Sequence, residues 1–234
     1  MSREIQVVLS CEHAGNRVPA QYVHLFEHNR SILSSHRGFD IGISSVARRM
    51  ARKLGRPLFA CHTTRLLIDP NRSLAHPDLF SRFSDVLTRL EKQWIISNFY
   101  LRYRQTVAEH IQRQIRKKLQ VLHLSLHSFT PILNGQKRNA DIGILYDPKR
   151  NAEKVLAIAL KEILIDRTGM KIRRNYPYRG NADGFTTALR RTFSERNYLG
   201  IEIEINQSLI MGDRSQGPEI ADSICGSLNQ IGTS

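Results

Sequence analysis

Four apolar runs stand out along the chain, and polar, chemistry-bearing residues end or interrupt three of them. Ile5-Gln6-Val7-Val8-Leu9 stops at Ser10-Cys11-Glu12-His13, and Val121–Leu126 stops at His127-Ser128-Phe129-Thr130-Pro131. Leu199–Ile205 carries Glu202 and Glu204 inside it, and the short run Leu58–Cys61 feeds Thr63-Thr64-Arg65. Aliphatic and β-branched runs of this length, bounded by turn formers, predict strands. Asp141–Tyr146 predicts another, and residues 173–180 read as a strand end and turn. Between the strands the apolar spacing lengthens. Ile43, Val46, Ala47, Met50 and Leu54 predict a helix over Ile41–Leu54, stopped by Gly55 and Pro57. Ile95, Phe99, Val107, Ile111, Ile115 and Leu119 mostly step by four, predicting a long helix from Val86 to Leu119 with room for one break. Further helices are expected over Ala152–Ile165, Ala182–Arg191 and Gly217–Ile231, with residues 77–84 as loop.

Strands alternating with helices predict an α/β fold: a mixed, mainly parallel sheet with helices on both faces. No internal repeat, low-complexity segment or linker interrupts the 234 residues, so a single domain over residues 1–234 is expected. A chain of this length buries its own core without staples. Nothing approaches the ~18 consecutive apolar residues of a membrane span. Met1-Ser2-Arg3-Glu4 lacks the apolar stretch of a signal peptide. The three cysteines (Cys11, Cys61, Cys225) contain no CxxC pair and read as reduced thiols. A cytoplasmic location is expected.

Charge narrows the choice of partner. Lys and Arg number 35 against 21 Asp and Glu, a net charge of +14, and such a field attracts anions. The positive charge is spread along the chain, and its densest run, Gln112–Lys118, closes a helical pattern where cations suit the dipole. Trp94, Phe99, Tyr100 and Tyr103 read as packing residues within the long helix, not as a base-stacking platform. A small anionic substrate is therefore expected, and nucleic acid is not. The pattern leaves the oligomeric state open.

Three strand ends carry candidate chemistry: His13 with Glu12 and Asn16, His127, and Glu204 with Glu202. Two histidines and an oxygen donor from separate strand ends suit an open zinc site, with a position left for water. Glu204, inside an apolar strand, suits a general base, since burial raises a carboxyl pKa. A buried salt bridge to Arg65 or Arg190 is the alternative. Asn71-Arg72 offers an amide donor and a planar guanidinium fork for a carboxylate, and Arg65 suits a developing oxyanion.

Five segments together resemble the N-formylglutamate amidohydrolase family. They are Cys11-Glu12-His13-Ala14-Gly15-Asn16-Arg17-Val18-Pro19, His36-Arg37-Gly38-Phe39-Asp40-Ile41-Gly42, Thr64-Arg65-Leu66-Leu67-Ile68-Asp69-Pro70-Asn71-Arg72, His127-Ser128-Phe129-Thr130-Pro131 and Ile201-Glu202-Ile203-Glu204-Ile205-Asn206-Gln207. The segments fall in the family's order and span the chain from near residue 7 to near residue 211. The resemblance implies a zinc-carboxypeptidase-like fold of the phosphorylase/hydrolase type, related also to aspartoacylases. It implies metal-dependent hydrolysis of N-formyl-L-glutamate, or of a similar N-acyl acidic amino acid, with one zinc ion per chain. His13 and His127 are then zinc ligands, Glu204 the general base, Arg65 the group over the scissile carbonyl, and Asn71 and Arg72 the carboxylate grip. His36 and Asp40 fall to supporting or substrate contacts. Carboxypeptidase-like sites use His-x-x-Glu, whereas Asn16 stands three residues after His13. The third ligand is thus Asn16 through its carbonyl, Glu12, or Asp40. The alternatives are an amidase for another N-acyl or peptide substrate, and a non-catalytic polyanion-binding homologue.

Overall fold

The apolar runs assemble into one six-stranded sheet. The computed structural model describes residues 4–212 and 215–232, so Met1-Ser2-Arg3 lies outside the described residues. In chain order the strands are β1 (Ile5–Cys11), β2 (Leu58–Ala60), β3 (Gln120–Phe129), the small hairpin β4 (Ile132–Leu133) and β5 (Gln136–Lys137), β6 (Ile142–Leu145), β7 (Ile172–Arg174) and β8 (Tyr198–Asn206). The sheet order is β2-β1-β3-β8-β6-β7, with the hairpin forming its own two-stranded ladder. β2, β1, β3 and β8 run parallel, and β6 pairs antiparallel with β8 while running parallel to β7. This is the mixed, mainly parallel sheet that the alternating pattern predicts.

The helices are α1 (Arg30–Leu33), α2 (Ile43–Leu54), α3 (Arg89–Ile95), α4 (Arg102–Arg116), α5 (Asn151–Thr168), α6 (Phe185–Thr192), α7 (Gln207–Ile210) and α8 (Gly217–Ile231). α2, α5 and α8 cover one face of the sheet, and α4 and α6 cover the other. The predicted long helix is α3 and α4 joined through a wide π-type turn at Ile96–Leu101. Gly55 ends α2 in the left-handed conformation at φ 61°, as its position at the pattern's end implies. No described helix is long and apolar enough to cross a membrane. The three cysteines are buried and free of disulfides.

Period-two alternation in the central strands decides which side of the sheet carries chemistry. Val7, Leu9 and Cys11 of β1, Leu122, Leu124 and Leu126 of β3, and Leu199, Ile201, Ile203 and Ile205 of β8 fill the larger core beneath α2, α5 and α8. The opposite face reads Val8 and Ser10 along β1 with Glu12 just past its end, Val121, His123, Ser125, His127 along β3, and Tyr198, Gly200, Glu202, Glu204 along β8. Each row turns from apolar to polar toward the strand's carboxyl end. In register, Ser10 stands opposite Ser125, and His127 opposite Glu204. β3 runs on through Phe129, so His127 sits within the ladder and not in the loop that the sequence pattern implies. The difference follows from pairing, since β8 supplies hydrogen-bond partners as far as Asn206. Sequence periodicity also misses the 3₁₀ turn at Ala20–Asn29, α1, the hairpin and α7. These segments are short and lack a repeating apolar face.

Candidate active site

Glu12 ends the polar row of β1, and His13 follows in the tight turn beyond the strand. That turn is tied to the chain after β2, with Ala14 N donating to the Cys61 carbonyl (3.0 Å) and Arg17 N to the His62 carbonyl (2.9 Å). Asp40 N donates to the His13 carbonyl (3.0 Å), which brings a residue 27 positions away against the histidine. His127 arrives from β3. His13, Asp40 and His127 are 2%, 5% and 3% exposed, and one ligand atom from each lies within 4.8 Å of the others. Asp40 Oδ2 is 2.9 Å from His127 Nδ1 and 3.6 Å from His13 Nδ1. The second distance is too long for a hydrogen bond, and among the described residues His13 Nδ1 is a buried polar atom without a partner.

Both rings are held from behind by carboxylates. His13 Nε2 meets Asp69 Oδ1 at 2.7 Å, and His127 Nε2 meets Glu12 Oε2 at 3.1 Å. Asp69 also accepts from Asn71 N (2.9 Å) and from Arg65 Nη2 (2.8 Å). Glu12, fully buried, accepts from Tyr103 Oη (2.8 Å) and Ser125 Oγ (2.5 Å). Burial disfavours ionised Asp69, yet Arg65 and His13 hold its carboxyl well below the usual range. Burial likewise opposes ionised Glu12 and Asp40, and their hydrogen bonds and charge pairing with the histidines hold both low. The orphaned Nδ1 atom, the two imidazoles sharing one carboxylate, and the carboxylates backing each ring fit a divalent cation of the zinc type.

Asn16 does not join this group. Its side-chain amide donates to the Leu33 carbonyl (2.9 Å), and it lines a separate cleft with Val18, Phe26 and Leu33. The turn that lets Ala14 and Arg17 pair with the chain after β2 carries residue 16 away from the histidines. Glu12 also falls outside the cluster, because its carboxylate faces Nε2 of His127, the nitrogen turned away from Asp40. Asp40, taken above chiefly as a supporting or substrate contact, is the acid between the two histidines.

A cavity of about 200 Å³ opens beside the cluster, large enough for an amino-acid-sized molecule. Glu204 lines it and is 5% exposed, with Oε2 buried and, among the described residues, unpartnered. Burial, with Asp40 and Glu202 nearby, pushes its carboxyl up to about 8, against the pull of His127 and Arg65. Among the described residues the salt-bridge alternative has no ion pair behind it. Arg190 pairs with Glu153 (3.0 Å), while Arg65 pairs with Asp69 (2.8 Å) and Asp40 (3.5 Å). Arg65, Asn71, Arg72 and an exposed His36 also line the cavity. Asn71 Oδ1 accepts from Phe185 N (2.7 Å) at the start of α6, and Arg72 Nε lies 4.0 Å from Asp69.

Sequence reasoning passed over Asp69, Tyr178 and Arg179, which back or line the site. Asp69 carried a signal, a carboxylate closing the apolar run Leu66-Leu67-Ile68 between Arg65 and Asn71. Tyr178 and Arg179 carried none, since they sit in a turn without periodicity.

Comparison with known proteins agrees with this architecture. The crystal structure of a gene product from Agrobacterium tumefaciens superposes with a TM-score of 0.82 at 29% identity, covering 98% of this chain and 92% of that one. The structure of N-formylglutamate amidohydrolase from Ralstonia eutropha superposes with a TM-score of 0.72 at 21% identity, covering 98% and 93%. Comparison with curated protein sequences gives no match. The family profile described as N-formylglutamate amidohydrolase matches residues 5–211. Sheet, site and profile agree, and the chain belongs to the N-formylglutamate amidohydrolase family.

Proposed function

We propose that this amidohydrolase cleaves the amide of N-formyl-L-glutamate, or of a similar N-acyl acidic amino acid, with one zinc ion held by His13, Asp40 and His127. The observation that carries this reading is the buried meeting of two Nδ1 atoms with one carboxylate, each ring backed by its own acid, beside the unpartnered Oε2 of Glu204. When bound, such an ion polarises a carbonyl and acidifies water. Glu204 beside a bound cation would be held more in its ionised form, against the burial that raises its pKa. Glu204 Oε2 then accepts a proton from the attacking water and returns it to the leaving nitrogen. The Arg65 guanidinium, fixed by Asp69 and Asp40 yet 26% exposed to the cavity, stabilises negative charge growing on the carbonyl oxygen. Asn71 uses its side-chain oxygen to fasten α6, which leaves its amide N–H groups, with Arg72, for the substrate's α-carboxylate.

The test pairs metal content with turnover. Protein purified without added metal is expected to hold about one zinc per chain and to release glutamate from N-formyl-L-glutamate. His127→Ala is expected to lose both. Wild type that hydrolyses a neutral N-formyl amino acid as fast as N-formylglutamate refutes the substrate class. A wild type that stays inactive and metal-free when zinc is offered refutes the mechanism.

A further inference from the structure

Three arginines line the cavity, and they differ in what already holds them. Arg65 is committed to Asp69 and Asp40. Arg72 has a distant ion pair with Asp69 at 4.0 Å. Arg179 is exposed, and among the described residues no carboxylate pairs with its guanidinium within 4.0 Å.

The backbone beneath Arg179 is nevertheless firmly set. Asn175, in the left-handed conformation at φ 49°, accepts through Oδ1 from Tyr146 N (3.0 Å) and Gly180 N (3.1 Å). The Gly180 carbonyl accepts from Arg190 Nη1 (2.6 Å), and Arg190 is itself locked onto buried Glu153. A Cβ at residue 180 would meet Tyr146 N at 2.1 Å, so the chain lies flush against the end of β6. The segment after Arg179 is stitched to the one carrying Arg72. Ser73 N donates to Asp183 Oδ2 (2.9 Å), and Phe185 N to Asn71 Oδ1 (2.7 Å). Two guanidinium-bearing loops thus meet at the cavity, one with an unspent cation on a fixed base.

We infer that Arg179 is the specificity residue that binds the side-chain carboxylate of the substrate, while Asn71 and Arg72 take the α-carboxylate. The inference rests on the N-acyl acidic amino acid reading and extends it to the second carboxylate. A guanidinium free of internal ion pairs gives up no existing partner when it binds an anion, whereas Arg65 would have to give up its ion pairs with buried Asp69 and Asp40. Neutral side chains leave Arg179 in water and gain nothing from it.

Calorimetry with glutarate and butyrate, on wild type, Arg179→Gln and Arg179→Lys, tests this without requiring turnover. The two acids differ by one carboxylate, so any contact common to both cancels. One charge-assisted contact corresponds to roughly a 10- to 100-fold difference in affinity. Wild type is expected to prefer glutarate by about that factor. Arg179→Gln is expected to lose the preference with butyrate binding unchanged, and Arg179→Lys to keep part of it. Wild type with no preference for glutarate, or Arg179→Gln retaining it in full, overturns the inference. If glutarate binds through Arg179 but no N-acyl amino acid is hydrolysed, the amidohydrolase reading fails and the anion subsite stands.

Discussion

Replacing Glu12 with Gln separates a carboxylate that holds a ligand in place from one that ligates. Glu12 touches His127 through Nε2 at 3.1 Å, while Nδ1 of the same ring faces Asp40 at 2.9 Å. Gln is nearly isosteric. With its oxygen toward Ser125 and His127 and its amide nitrogen toward Tyr103, it keeps every contact, because Tyr103 Oη also reaches the Phe59 carbonyl at 3.2 Å and can donate there. What is lost is the negative charge behind the ring. A hydrogen bond to a charged partner contributes about 1.5–3 kcal/mol and a neutral one about 0.5–1.5, so the difference is roughly 1–1.5 kcal/mol. Losing the carboxylate behind a metal-binding histidine typically costs about 10- to 100-fold in metal affinity, or about 1.4–2.8 kcal/mol. The two estimates meet near tenfold. Competition against a chromophoric zinc chelator is therefore expected to give a Kd at least about tenfold weaker in Glu12→Gln, with the urea midpoint close to wild type. A Kd within about twofold of wild type, in a variant that folds normally, would falsify the argument that Glu12 acts through His127.

Two further predictions concern the same polar face. Glu204→Gln removes the proton acceptor without touching a ligand, so kcat is expected to fall by about 10²- to 10⁴-fold at full zinc occupancy; near-normal turnover there would assign the proton to another group. His123, fully buried between Ser10 Oγ (2.7 Å) and Tyr198 Oη (2.8 Å), is pushed down to about 4 by burial. Its unfolded pKa is about 6.5, so the unfolded chain binds the extra proton first. The part of the stability that depends on His123 is then expected to fall as pH drops from about 6.5 to about 4, by on the order of 3 kcal/mol, while the depressed carboxyls of Glu12, Asp40 and Asp69 add their own loss at lower pH. Urea unfolding of wild type and His123→Gln across that range is the measurement, and equal slopes in the two proteins would remove His123 as the cause.

The mixed sheet with helices on both faces was legible because burial imposes a period that the sequence must carry. Ile201, Ile203 and Ile205 alternate with Glu202 and Glu204, so the strand and its two-faced character follow from β8's residues alone. α8 runs over Gly217–Ile231, the limits read from the sequence. Strand ends were harder. β3 extends three residues past the predicted Leu126 because β8 goes on pairing with it, and the partner is not written in β3's own residues.

By itself, then, the sequence determined the main strands and helices, the placing of two histidines and Glu204 toward the carboxyl ends of their strands, and the ordered segments that mark the family. Tertiary structure decided what surrounds them. Asp40 displaces Asn16 beside the histidines because its backbone N–H reaches the His13 carbonyl, while the turn sends Asn16 to Leu33. Glu12 lies behind His127 because β1 and β3 pair with Ser10 opposite Ser125. Asp69 and Arg179 come from loops, where no hydrophobic period records position and only the packed core fixes direction. Alternation along a strand is a local consequence of burial, but the meeting of several loops at one cavity is a property of the closed chain.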